Sequence, residues 1–340
     1  MEFFFNAIRG KQGDRDFYTA TVPFKMLKRI MSFDSGDVLD RSQRNVDPTR
    51  AKALATYLVE NPTSFVLPAL TGIVEDQDMR FEEYGGNGSG IGRLHLSLDA
   101  TIKLFDGQHR ATGIMQALRD CPLLQFSSIT VQLFKGMTLE ERQQAFSDIN
   151  ANAKAVSASL NMTYNQRNEV VTALAAEVGK VEAWQGKIDH ERNVIGKGSN
   201  AMFSFRHVIT ASRLVIGLSS KNRLSSIEES KMTDVGNWWN SIAKSVGWTL
   251  EERPEDSVTY TAAGLMALAR VPELMRERRG NKWTTWKAAN ALENIDWSKS
   301  NEMWAGNLID GKGNMTSTTA AQIAAAEKIA DSICTYLDFM

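Results

Sequence analysis

Five consecutive residues, Asp106-Gly107-Gln108-His109-Arg110, combine the groups that hold an anionic phosphate. The apolar run Ile102 to Phe105 leads into them and Ala111 to Leu118 has helical composition, so a strand turns into a helix at this point. Free amides at a helix start point outward with the positive end of the dipole, and a glycine lets a phosphate approach the backbone closely. Arg110 adds a fork that fits phosphate oxygens, and His109 can donate a hydrogen bond or carry a proton near neutral pH. Asp106 repels a bare anion, so its carboxylate serves a ribose hydroxyl, a Mg²⁺ ion or the arginine itself. The plainer alternative is an aspartate that caps the helix, with His109 and Arg110 in surface hydrogen bonds.

Gln43 and Arg44 precede a helix and are placed to clamp the same anion from another side, unless they are solvated loop residues. For nucleic acid the most basic stretch is Arg270 to Lys287, where Arg276, Arg278, Arg279 and Lys282 are the candidate DNA contacts. Its cations would neutralise backbone phosphates, and Trp283 and Trp286 would stack on exposed bases or simply pack. Lys221, Arg223 and the region Arg206 to Arg213 are possible additions, and a solvated helix end is the alternative. Neither Gly85 to Gly92 nor Gly196-Lys197-Gly198-Ser199 has P-loop spacing. His95, His109, His190 and His207 lack metal-ligand spacing, and Cys121 and Cys334 form no CxxC pair, so neither zinc nor an iron–sulfur cluster is expected.

The elements that must position these residues are legible in part. Asp47-Pro48 opens a helix that carries Leu54, Tyr57 and Leu58 and ends at Asn61-Pro62. Strands are expected over Phe65 to Val74, His95 to Leu98, Ile102 to Phe105 and Ile129 to Phe134, with a glycine-rich mobile turn from Tyr84 to Gly92. Thr138-Leu139-Glu140-Glu141 is a capping box for a helix that runs to about Asn150. All eight tryptophans lie between Trp184 and Trp304, which places a domain boundary near residue 165. Beyond it, Glu169 to Trp184, Phe203 to Leu218, Val235 to Val246, Tyr260 to Leu274 and Ala320 to Leu337 have helical character. The reading is an α+β chain with a mixed α/β domain over 1–165 and a mainly helical domain over 166–340.

Composition limits the function classes. With Lys+Arg 39 against Asp+Glu 40 the net charge is −1, so any DNA binding must use a local patch. No apolar run approaches the roughly 18 residues of a membrane span. No basic, apolar and small-residue leader pattern is present at Met1 to Lys11, and with two distant cysteines a cytoplasmic protein with no membrane partner is expected.

The intact string at 106–110 resembles the DGQHR-domain family, and within it the DndB group of DNA sulfur modification proteins. The resemblance takes in Gln43-Arg44 with the helix Arg50 to Leu58, and Phe146-Ser147-Asp148-Ile149-Asn150, which fits an FxxxN pattern. It spans about residues 40–165. It implies an N-terminal fold similar to the ParB and sulfiredoxin superfamily, whose equivalent loop holds nucleotide phosphates. Sulfiredoxin-like proteins carry a cysteine in that loop, where Gln108 and His109 stand here, so sulfinic-acid reduction is not expected. Phe146 and Asn150, four apart, share a helix face, so Phe anchors while Asn reaches a polar site, or they are a core Phe and a C-capping Asn.

The resemblance implies a DNA-binding transcriptional regulator of a DNA phosphorothioate modification system, with a nucleotide held by Gln43, Arg44, Asp106 to Arg110 and Asn150. Partners implied are DNA, a nucleotide, other proteins of the modification system and further copies of the chain. The alternative is an NTP-hydrolysing enzyme using ATP with Mg²⁺, perhaps acting on DNA strands. There Asp106 holds the metal or orients water, His109 moves a proton and Arg110 stabilises charge on the phosphoryl oxygens. A structural adaptor is the third reading.

Overall fold

Phe3, Phe5 and Ala7 alternate with Phe4, Asn6 and Ile8, the period of a strand that presents alternate residues to opposite sheet faces. The computed structural model describes residues 2–32, 46–86, 88–151, 155–196, 198–218, 227–249 and 254–339. The opening segment is strand β1 (Glu2–Gln12), and a turn at Gly13, with φ 59°, returns the chain as antiparallel β2 (Arg15–Pro23). Helix α1 (Phe24–Ile30), the short β3 (Met31–Ser32), α2 (Pro48–Glu60), β4 (Leu70–Val74), β5 (Met79–Glu83) and β6 (Ile91–Ser97) follow. Strand β7 (Ile102–Asp106), helix α3 (Gln108–Asp120), β8 (Ser128–Lys135) and α4 (Leu139–Ala151) complete the first of two compact units, Met1–Lys154.

Among the described residues its eight strands run in the order β3-β7-β4-β8-β2-β1-β6-β5. β4 is parallel to β8 and β3 to β7, and the other neighbours are antiparallel. Strand β4, between two neighbours, is buried along its whole length. Helices α1, α2 and α3 supply Phe24, Leu27, Leu58 and Ile114 to a core that also contains Leu104 and Val131 of the sheet. Phe105, next to Leu104, belongs to a separate small cluster with Ile73, Phe134 and Met137, which Ala145 of α4 packs against. The two clusters are thus the two faces of one pleated strand.

The local signals at the helix ends hold. Asp47 accepts from the amides of Thr49 and Arg50, with Pro48 in the first turn of α2. The Thr138 amide donates to Glu141 at 2.8 Å and the Glu141 amide to Thr138 Oγ1 at 3.3 Å, a reciprocal capping box. Other expectations need correction. The strand expected over Phe65 to Val74 begins only at Leu70, since Pro68 has no amide to give a ladder. The glycine-rich turn is shorter than Tyr84 to Gly92, because Tyr84 N–H already pairs with Ile91 O and β6 starts at Ile91.

The second unit, Ala155–Met340, begins before residue 165. Helix α5 (Ala158–Tyr164), which carries no tryptophan to mark it, belongs there: Ser159 Oγ donates to Arg192 O and its amide donates to Asn193. Next come α6 (Glu169–Val178), the parallel two-residue strands β9 (Ile188–Asp189) and β10 (Phe203–Ser204), α7 (Phe205–Val215) and α8 (Glu229–Ile242). They are followed by α9 (Ala262–Arg279), α10 (Thr285–Leu292) and α11 (Thr319–Asp338). The unit is mainly helical around an indole cluster in which Trp184 lies 5.2 Å from Trp239 and 5.3 Å from Trp248, ring to ring. Such pairs add about 0.5–1.5 kcal/mol each beyond the area they bury. Their buried N–H groups are met where Trp239 donates to Ser212 and Trp248 to Thr259 O. Among the described residues no helix is long and apolar enough to cross a membrane. Gln43, Arg44, Lys221 and Arg223 lie outside the described residues.

Candidate functional site

Strand β7 stops at Asp106 because Gly107 turns the chain into the left-handed region, φ 97° and ψ 11°, and α3 starts at the next residue. Two constraints demand glycine there. The backbone conformation disfavours any Cβ, and a Cβ would lie 2.6 Å from Leu70 Cδ2 and 3.0 Å from Arg110 Nη2. Ala111 N–H closes the first helical turn onto Gly107 O at 2.9 Å, and no side chain caps the start of α3. No acidic residue lies in the first turn of α3, and the carboxylate that precedes it, Asp106, is turned onto Arg110.

Arg110 stands one turn into α3 and folds back. Its Nη2 donates to Asp106 Oδ2 at 2.6 Å and to Ala69 O at 2.9 Å. Of the roles open to Asp106, the structure places the carboxylate on the arginine. The guanidinium is thereby fixed at the helix start, its Nε buried within the protein and the side chain as a whole 23% exposed. Gln108 is buried, 4% exposed, whereas His109 is half-buried. The loop offers a phosphate a backbone cradle and a pre-oriented cation. For magnesium it offers one carboxylate, already engaged by Arg110.

Helix α2 reaches the same region because Gly113 of α3 has no side chain: a Cβ there would sit 2.8 Å from Ala51 O. Asp47 caps the start of α2, which packs along α3. On the opposite sheet face, α4 carries Phe146 and Asn150. Asn150 Nδ2 donates to Phe146 O at 2.7 Å, so its amide is turned onto its own helix, and Phe146 is half-buried.

Between α4 and the sheet lies a cavity of about 420 Å³, lined by Arg15, Thr71, Phe105, Gln132, Glu141 and Gln144 among others. Thr71 is the register partner of Asp106 across β4 and β7, so the cavity ends one strand from the 106–110 loop. Arg15 ion-pairs with Glu141. That contact, with the Thr138 amide, holds the Glu141 carboxyl below its usual range. Sequence reasoning missed Arg15 because its strand was not recognised, and saw Glu141 only as a helix cap.

The basic stretch is largely neutralised by its own unit. Arg276 bonds Val215 O at 3.0 Å and Glu273 at 2.9 Å and lies 3.7 Å from Asp234. Arg278 pairs with Asp331 and Glu327, and Arg279 with Asp338 at 2.7 Å, on or beside α11. The Asp338 contact raises the Arg279 pKa and lowers that of Asp338. Burial lowers that of Arg270. Lys282 and Trp286 remain exposed.

No curated protein and no solved structure matches the chain. One family model does. The sequence model of the DndB family, described as DNA-sulfur modification-associated, matches residues 5–334, across both units, and the chain belongs to that family.

Proposed function

We propose that this member of the DNA sulfur modification family is a DNA-binding transcriptional regulator whose hold on DNA is set by a nucleotide bound through its phosphates at the 106–110 loop. The observation that carries the reading is Arg110, clamped by Asp106 beside an uncapped helix start, with its side chain still partly exposed. That is the arrangement a phosphate completes. A nucleotide can shift DNA affinity only if it binds the DNA-competent conformer differently from the other. The DNA contacts are assigned to the helical unit, around Lys282 and the arginines Arg278 and Arg279, whose ion pairs must loosen to meet phosphates, while Arg276 stays on Val215 O, Glu273 and Asp234.

The test is fluorescence anisotropy with duplex DNA from the promoter of the modification genes, with and without ATP. ATP should change the wild-type affinity by about fivefold or more, the usual lower range of allosteric coupling. Arg110→Ala should bind DNA without responding to ATP. A wild type that ignores ATP would sink the reading. Hydrolysis asks for more, since Asp106 must leave Arg110 before it can orient water or hold a metal. Steady phosphate release, lost in Asp106→Asn and His109→Ala, would make the protein an ATPase.

A further inference from the structure

We infer that a cavity in the helical unit receives a single unpaired nucleobase of a DNA strand, guanine by preference. The inference rests on the DNA-binding function proposed above and adds to it a site where one base leaves the stack. The cavity, of about 290 Å³, is built by three elements. Helix α8 brings Asp234 and Trp238, four apart and so on one face, and α9 brings Pro272 and Arg276 at the same spacing. The turn into α10 adds Trp283 and Thr284.

Trp238 and Trp283 meet edge to face, their rings 6.4 Å apart at 80°. Trp238 is 1% exposed and backs the half-buried Trp283 from the core, so a flat ring that enters has the Trp283 indole to stack on, held in place by the ring behind it. Asp234, half exposed, lies 3.7 Å from Arg276, whose Nη1 is committed to Val215 O and Glu273. The arginine steadies the carboxylate and leaves it lone pairs to accept with. A carboxylate accepts two parallel N–H bonds. The Watson–Crick edge of guanine presents two adjacent N–H donors, whereas thymine presents one between two carbonyl oxygens that the carboxylate repels. Three residues beyond Trp283, Trp286 is 62% exposed, and Lys282 precedes the turn at the surface. They supply a second stacking platform and a cation for the strand that flanks the captured base.

Anisotropy titrations decide the matter, with a single-stranded oligothymidine carrying one central guanine, the all-thymine strand, the matched duplex and free guanosine. Wild type should bind the guanine strand about tenfold more tightly than the all-thymine strand, the size of the discrimination that one bidentate hydrogen-bonded pair provides. Asp234→Asn should abolish that preference and Trp283→Ala should weaken both single strands, each leaving duplex affinity within about twofold, while Trp283→Phe keeps most of the single-strand affinity. Asp234 is half exposed, so Asp234→Asn remains decisive if Trp283→Ala does not fold. Equal affinity for the two strands in wild type, or a preference that survives Asp234→Asn, would overturn the proposal. Free guanosine bound as tightly as the strand would overturn DNA as the source of the base. Binding of the duplex without any guanine preference removes this pocket alone, whereas binding of no DNA in either form removes the regulator reading on which it rests.

Discussion

Asp106 and Arg110 are four apart, and the 2.6 Å contact between them converts a mobile arginine into a fixed donor at the start of α3. Gly107 is what permits the two to meet. Gly107→Ala should destabilise the protein by about 1–2 kcal/mol from the left-handed backbone alone, with further loss because Leu70 must move. Urea unfolding measures this, and an unchanged midpoint would show that the loop relaxes without strain. The five-residue string and its place between a strand and a helix were legible in the sequence because they depend on neighbours in the chain. The choice among three roles for Asp106 was not, since it depends on where Ala69 and Leu70, 37 and 36 residues earlier, deliver a carbonyl and a methyl group. Arg15 was silent for the same reason, its partner Glu141 lying far along the chain.

Helix α4 has no buried residue, so its position depends on Ala145, its capping box and the Arg15–Glu141 ion pair. The Glu141 carboxyl titrates below its usual range, first because of Arg15 and then because of the Thr138 amide. Its folded pKa is depressed, so the contribution of this carboxylate is present above the usual carboxylate range and is lost as pH falls through the lowered folded value. Glu141→Gln should therefore speed amide exchange in 139–151 at neutral pH and flatten the acid loss of protection that wild type shows over the same segment. Equal exchange in the two proteins would mean that the ion pair does not hold the helix. Elements with end signals were readable, α2 from Asp47-Pro48 and α4 from its capping box. Strand β1 was not, because Phe4 and Ile8 are apolar yet exposed and blur the alternation that marks a half-buried strand.

At the scale of the whole molecule, each unit has a hydrophobic core of its own, one against the mixed sheet and one around the indole cluster. The tryptophan distribution revealed the second core but set its edge too late, because α5 joins that core without a tryptophan. With a net charge of −1 no overall field draws the chain to DNA, and the arginines of the basic stretch are matched by acids of their own unit. Nucleotide and DNA are thus assigned to different units, and the account stands or falls on the first of them. Calorimetric titration of ATP, GTP and CTP, each with and without Mg²⁺, into wild type and Arg110→Ala is the direct measurement, with thermal melting to show that the variant folds. The account predicts saturable binding of at least one nucleotide by wild type, weakened by about tenfold or more when the charged hydrogen bonds of Arg110 are removed. Equal affinity in the two proteins, or no binding of any nucleotide by wild type, would contradict it.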